Sequence, residues 1–103
     1  MIKIRVNDEN ILITGHAFYD EYGKDIVCSA VSATFLCTVN AILKLDKNAL
    51  QVRNVQDGKE IKILKKDHVT NVLINNMLDC LKELGDKYPR NIQIKEEEKW
   101  ETF

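Results

Sequence analysis

IKIRVNDENILITGHAFYDEYGKDIVCSAVSATFLCTVNAILKL, residues 2–45, sets the expected fold. Apolar Ile2, Ile4 and Val6 alternate with Lys3 and Arg5, and a period of two marks a strand with one buried face. Asn7 to Asn10 reads as a turn. Ile11 to Thr14 predicts a second strand, antiparallel to the first, which Gly15-His16-Ala17 closes. Residues 18–24 mix aromatic, acidic and glycine residues without a period and predict a loop. Asp25 is a good helix N-cap, and a long apolar helix is expected from Ile26 to Leu45. Apolar or small residues occupy much of its circumference. Such a helix packs one face on a sheet and offers another to a second partner, for instance a copy of the chain.

Beyond the helix, Leu50 to Val55 and Ile61 to Leu64 predict two strands, with Asp57-Gly58 as a hairpin signal between them. Asp67 caps a second helix, expected from His68 to Leu84. Its apolar stripe is Val69, Val72, Leu73, Met77, Cys80, Leu81 and Leu84, and Gly85 and Pro89 are read as its stop. Ile92 and Ile94 alternate with polar residues as a last strand, and Glu96-Glu97-Glu98-Lys99 reads as a solvated tail. The expected architecture is α+β: a single two-layer domain over residues 1–103, with two helices on a roughly five-stranded mixed sheet in the order β-β-α-β-β-α-β.

Composition narrows the function. With 45% apolar and 30% charged residues the chain has the balance of a soluble globular domain. Its net charge of −1, with Lys and Arg dispersed, gives no clustered basic surface for direct nucleic-acid binding. The start, Met-Ile-Lys-Ile-Arg-Val, lacks an apolar signal core, and Ser29, Ser32, Thr34, Thr38, Asn40 and Lys44 interrupt the apolar stretch enough to argue against a membrane span. Cys28, Cys37 and Cys80 are an odd set without CxxC spacing. They suggest free thiols in the reducing cytoplasm and no zinc site.

The chemistry concentrates in residues 15–32. His16 ends a strand. Cys28 falls three residues after the Asp25 cap, in the first turn of a helix, where the dipole is positive and backbone amides lack helical partners. Both features favour thiolate over thiol. The same amides are expected to stabilise an oxyanion, and a strand-end histidine across a short loop is a suitable base. Asp25 either caps the helix or orients His16. Ser32, one turn after Cys28, shares its face. Gly15 and Gly23 bracket the loop as hinges for a lid. Phe18, Tyr19 and Tyr22 are read as an apolar anchor for that loop. The plainer alternatives are a core cysteine and a histidine satisfied by backbone. Cys37 and Cys80 are read as core, and His68 as helix surface.

Gly15-His16-Ala17, the short loop, and Gly23-Lys24-Asp25-Ile26-Val27-Cys28-Ser29-Ala30-Val31-Ser32 resemble the ribosomal-processing cysteine proteases called Prp, of Firmicutes and related bacteria. The twelve-residue separation of His16 and Cys28 is similar to the family's spacing, as are chain length, element order and the late Tyr88-Pro89. The resemblance implies a catalytic dyad of His16 and Cys28, supporting roles for Asp25 and Ser32, no cofactor, and a homodimer. It also implies a substrate, the precursor of large-subunit ribosomal protein twenty-seven, whose short aromatic-containing N-terminal extension such enzymes remove. Phe18 departs from the family pattern, where a small residue, often glycine, is usual, and so does Ser29, where alanine is common. The alternative from another class is a non-catalytic binding module in ribosome assembly, which a mobile loop and an exposed sheet would also suit.

Overall fold

The computed structural model describes residues 1–21 and 23–97. Strand β1 (Ile2–Val6) buries Ile2, Ile4 and Val6 and exposes Lys3 and Arg5. It is joined to β2 (Asn10–Thr14) by a turn in which Asn7 Oδ1 accepts the Glu9 and Asn10 amides at 3.0 and 2.7 Å. There follow α1 (Ile26–Leu45), β3 (Leu50–Val55), β4 (Gly58–Ile63), α2 (His68–Lys87) and β5 (Ile92–Glu96). The sheet order is β3-β4-β2-β1-β5. β1 and β5 run parallel and every other pair is antiparallel, so the sheet is mixed as the sequence predicts.

Register explains why this sheet has a single dry face. Directly opposed residues share a face. The pairs Ile4↔Ile13, Val6↔Ile11, Ile11↔Ile61, Leu50↔Ile63, Ile2↔Ile92 and Ile4↔Ile94 therefore place one apolar surface across all five strands. Lys3, Arg5, Lys62, Arg53 and Gln93 fall on the other face and are exposed. Helix α1 covers the apolar surface with Val27, Val31, Phe35, Val39 and Ile42, a stripe stepping mostly by four. Ile4, Ile11, Ile61, Ile74 and Met77 are fully buried, and each such side chain contributes about 1.5–3 kcal/mol by leaving water.

Several local expectations change. The buried stripe of α2 is Thr70, Asn71, Ile74, Met77, Leu78 and Leu81, while Val69 and Val72 are exposed. Two apolar stripes run along this helix, and packing against α1 and β5 selects the one that periodicity alone does not single out. Helix α2 passes through Gly85 and ends at Tyr88, whose position before Pro89 disfavours the helical conformation. Gly85 lies over Ile92 and Ile94 of β5. Strand β4 begins at Gly58, not Ile61. Asp57, rather than the glycine, takes the positive φ (60°) of the turn. Gly58 is required for another reason: a Cβ there would stand 1.9 Å from the Ile13 carbonyl oxygen of β2.

Cys37 is exposed, not core. Helix α1 is also long and apolar enough to cross a membrane by length and composition, despite its interrupting polar residues. Here its apolar stripe lies against the sheet. Tyr22 and the Glu98-Lys99 part of the expected tail lie outside the described residues.

Candidate active site

Strand β2 delivers its end at a fixed angle. Gly15 has φ 89° and donates its N–H to the Asp57 carbonyl at 2.9 Å, and a Cβ on it would lie 2.4 Å from the Met1 carbonyl oxygen. Only glycine fits that backbone and that space. His16 then projects into solvent, while the side chain of Ala17 turns into the core. The Ala17 N–H points at Cys28 Sγ, 3.3 Å away, and the Ala17 carbonyl accepts from Asn91 Nδ2 at 2.9 Å. Phe18 takes the left-handed region, φ 54°, and is exposed beside His16 with ring centroids 5.9 Å apart. That conformation favours glycine. Of the loop aromatics described, Tyr19 is the anchor, packed edge-on against Tyr88 at 5.4 Å.

Asp25 resolves into one of its two expected roles. Oδ1 accepts the amides of Val27 and Cys28, both at 3.0 Å, and Oδ2 accepts those of Tyr19 and Asp20 at 2.9 and 3.4 Å. Both oxygens serve backbone donors, so Asp25 caps the helix and ties the loop to it; these bonds leave His16 to other partners. Burial would push its carboxyl pKa upward, but the amides of Cys28, Tyr19, Asp20 and Val27 favour the charged form and hold it below its ordinary value. The Ser29 N–H and Oγ both reach the Asp25 carbonyl at 3.1 Å.

This cap corrects the oxyanion expectation. The amides of Val27, Cys28 and Ser29 are all engaged by Asp25, because the residue that starts the helix also satisfies its first donors. The amide directed at the sulfur comes instead from Ala17, across the loop.

Cys28 is half-buried rather than sealed in the core. It lies with His16 and Ser32 between two adjoining depressions. One, about 270 Å³, is apolar, walled by Ile2, Ile13, Val31, Phe35 and Leu36. The other, about 570 Å³, is lined by Phe18, Asp20, Gly23, Asp25 and Ser29. All six residues singled out from the sequence thus meet at one place: Gly15 borders the first depression, Gly23 and Asp25 the second, and the other three border both. Gly23 has φ 85° in open space, in contrast to the crowded Gly15. The Ala17 amide and Asn91 were not visible in the sequence. Asn91 lies 74 positions from its partner, and no spacing rule links them. Among the described residues no cluster of His, Cys, Asp or Glu is arranged to hold a metal ion.

This arrangement, a half-exposed thiol at a capped helix start with a histidine and two flanking hollows, suits nucleophilic attack on an extended chain. The family model described as cysteine protease Prp matches residues 1–93. A ribosomal processing cysteine protease Prp of Staphylococcus aureus is 31% identical over 100 residues, covering 90% of this chain and 94% of that protein. One of Mycoplasma genitalium is 31% identical over 97 residues, with 94% and 97% covered. The crystal structure of the essential S. aureus ribosomal processing protease Prp with a covalently linked product peptide superposes with TM-score 0.83 at 27% identity, covering 93% of this chain and 97% of that one. Its complex with a substrate peptide gives TM-score 0.76 at 26% identity over the same shares.

Proposed function

The chain belongs to the cysteine protease Prp family, and from that premise we propose that it removes the N-terminal extension of large-subunit ribosomal protein twenty-seven by acyl transfer at Cys28. The observation that carries the mechanism is the placement of Cys28 and His16 on both hollows, with the Ala17 amide on the sulfur. His16 takes the Cys28 proton. The thiolate attacks the scissile carbonyl carbon to give a tetrahedral oxyanion. As it collapses, the C–N bond breaks, the amine leaves with the proton from His16, and a thioester remains. Water, deprotonated by His16, then releases the acid and restores the thiol. The Ala17 amide is the donor beside the sulfur that suits the developing oxyanion.

A peptide lying across Cys28 fills one hollow on each side of the scissile bond, and the apolar one suits an aromatic side chain of the extension. Ser32 borders the peptide on the helix side. The loop 18–24 opens about Gly23 to admit the chain and closes to exclude water. On this proposal the enzyme works in the cytoplasm as a homodimer, with Ile26 on the exposed side of α1 available to the second copy. A binding module would need none of this arrangement, and membership of a protease family favours the enzyme.

The test is incubation with a peptide spanning the extension junction, read by mass spectrometry. The wild type yields two fragments with a new N-terminus. Cys28→Ala, folded by circular dichroism, loses about a thousandfold or more in kcat. Normal cleavage by that variant ends the proposal.

A further inference from the structure

Three contacts fix the short segment that carries His16, and the chemistry above uses one of them. Gly15 is tied to the β3–β4 turn, the Ala17 N–H to the Cys28 sulfur, and the Ala17 carbonyl to the side chain of Asn91. Asn91 is itself fastened at both backbone groups. Its N–H donates to the Tyr88 carbonyl at 3.0 Å, and its carbonyl accepts the Ile2 N–H at 2.9 Å. Its amide is therefore a donor placed by the end of α2 and by β1, not by the loop.

Consider Ala17 as a joint. Its side chain is sunk in the core, its N–H is on the sulfur and its carbonyl is on Asn91. With all three substituents held, neither dihedral can drift. The next residue, Phe18, sits at φ 54°, a strained conformation for a side chain of its size. If Asn91 let go, the Ala17–Phe18 peptide plane would be free to rotate and relax that strain, and the Ala17 backbone that aims its N–H at the sulfur would lose one of its holds. A donor already placed beside the attacking atom costs no reorganisation when charge develops on the carbonyl under attack.

We propose that Asn91 is a positioning residue for the nucleophile: by holding the Ala17 carbonyl it keeps the Ala17 N–H directed at Cys28 Sγ, beside the carbonyl that the sulfur attacks. The inference rests on Cys28 being the nucleophile.

The experiment compares wild type, Asn91→Ala and Asn91→Asp. The rate of Cys28 alkylation by iodoacetamide at one pH is followed by peptide mass spectrometry, beside kcat and KM on the junction peptide and the thermal midpoint. Asn91→Ala slows alkylation and lowers kcat about five- to tenfold with KM little changed. Asn91→Asp, which opposes a carboxylate to the Ala17 carbonyl, does more of both. A lowered thermal midpoint with an unchanged alkylation rate and kcat makes Asn91 a structural residue only and overturns the proposal. Alkylation needs no proteolysis, so this arm reads independently of the Cys28→Ala test. Should a variant fail to fold, amide NMR of the wild type decides. The Ala17 N–H and the Asn91 side-chain NH₂ both move when Cys28 is alkylated, and stationary Asn91 signals beside a moving Ala17 overturn the coupling.

Discussion

Three glycines separate two costs that usually come together, dihedral strain and lack of space. Gly23→Ala meets only the first, since its φ is 85° and no atom lies within 4 Å of the new Cβ. A left-handed alanine costs about 1–2 kcal/mol, partly offset by the stiffer unfolded chain, for a net of about 0.5–1 kcal/mol. Gly58→Ala meets only the second. Its Cβ would fall 1.9 Å from the Ile13 oxygen and 2.8 Å from Thr14 Cα, both backbone atoms, so β2 and β4 must separate. Overpacking of this kind costs about 1–3 kcal/mol. Gly15→Ala meets both, with φ 89° and a Cβ 2.4 Å from the Met1 oxygen, and the sum is about 3 kcal/mol. At roughly 4–8 °C per kcal/mol for a domain near this size, Gly15→Ala lowers the melting midpoint by about 15 °C and Gly23→Ala by about 5 °C. Thermal unfolding by circular dichroism measures this, with cleavage assayed well below the lower midpoint. Because the strain at Gly15 falls on the residue before His16, its cleavage rate drops even where the protein is fully folded. If Gly15→Ala is no less stable than Gly23→Ala, close approach to Met1 does not set the direction of His16 and the reasoning fails.

The two helix caps give a second contrast. Asp25→Asn keeps an oxygen for the helix but offers NH₂ to one of the two amide pairs, so the loop detaches and kcat/KM falls about tenfold. Asp67→Asn, at the cap that accepts the Thr70 amide at 2.8 Å, leaves kcat/KM within about twofold, because Asn caps as well as Asp. Equal effects in a steady-state assay would remove the special role of Asp25. Acid titration gives a third. Asp25, Asp46 and Glu60 all have folded pKa values below their ordinary ones, held there by backbone amides at Asp25, by Lys65 at Asp46 and by Arg53 at Glu60. A depressed carboxylate stabilises fully above its unfolded pKa and loses that contribution as pH falls through the folded one. Denaturant midpoints therefore stay level from neutrality to about 5 and fall steadily below the 3.8–4.5 range of the ordinary values. A midpoint that rose on acidification would contradict this.

Much of the architecture could be read from residue order. The alternation at Ile2–Val6, the caps Asp25 and Asp67 and the β-β-α rhythm are local signals, and the structure follows them. Failures came where a distant partner decides. Gly85 carries a stop signal, yet the helix continues because β5 packs across it and Pro89 ends it later. The α2 stripe shifted because two apolar stripes were available and α1 chose between them. At the site, the residue types at 16, 25, 28 and 32 and their spacing were legible, since strand end, cap and first turn are sequence-local. The state of the helix amides was not. Whether a capping carboxylate takes two donors or four depends on how a loop folds back, as Tyr19 and Asp20 do here.

The parallel pairing of β1 with β5 joins residues near the two extremes of the described chain, Ile2 with Ile92 and Val6 with Glu96. Contacts of such wide separation form late, since the whole intervening loop must be closed first. During synthesis the segment bearing His16 emerges early but lacks the neighbour that braces it until Asn91 has been made and has left the ribosome. A nascent molecule therefore carries the His16 segment without this brace until β5 is made.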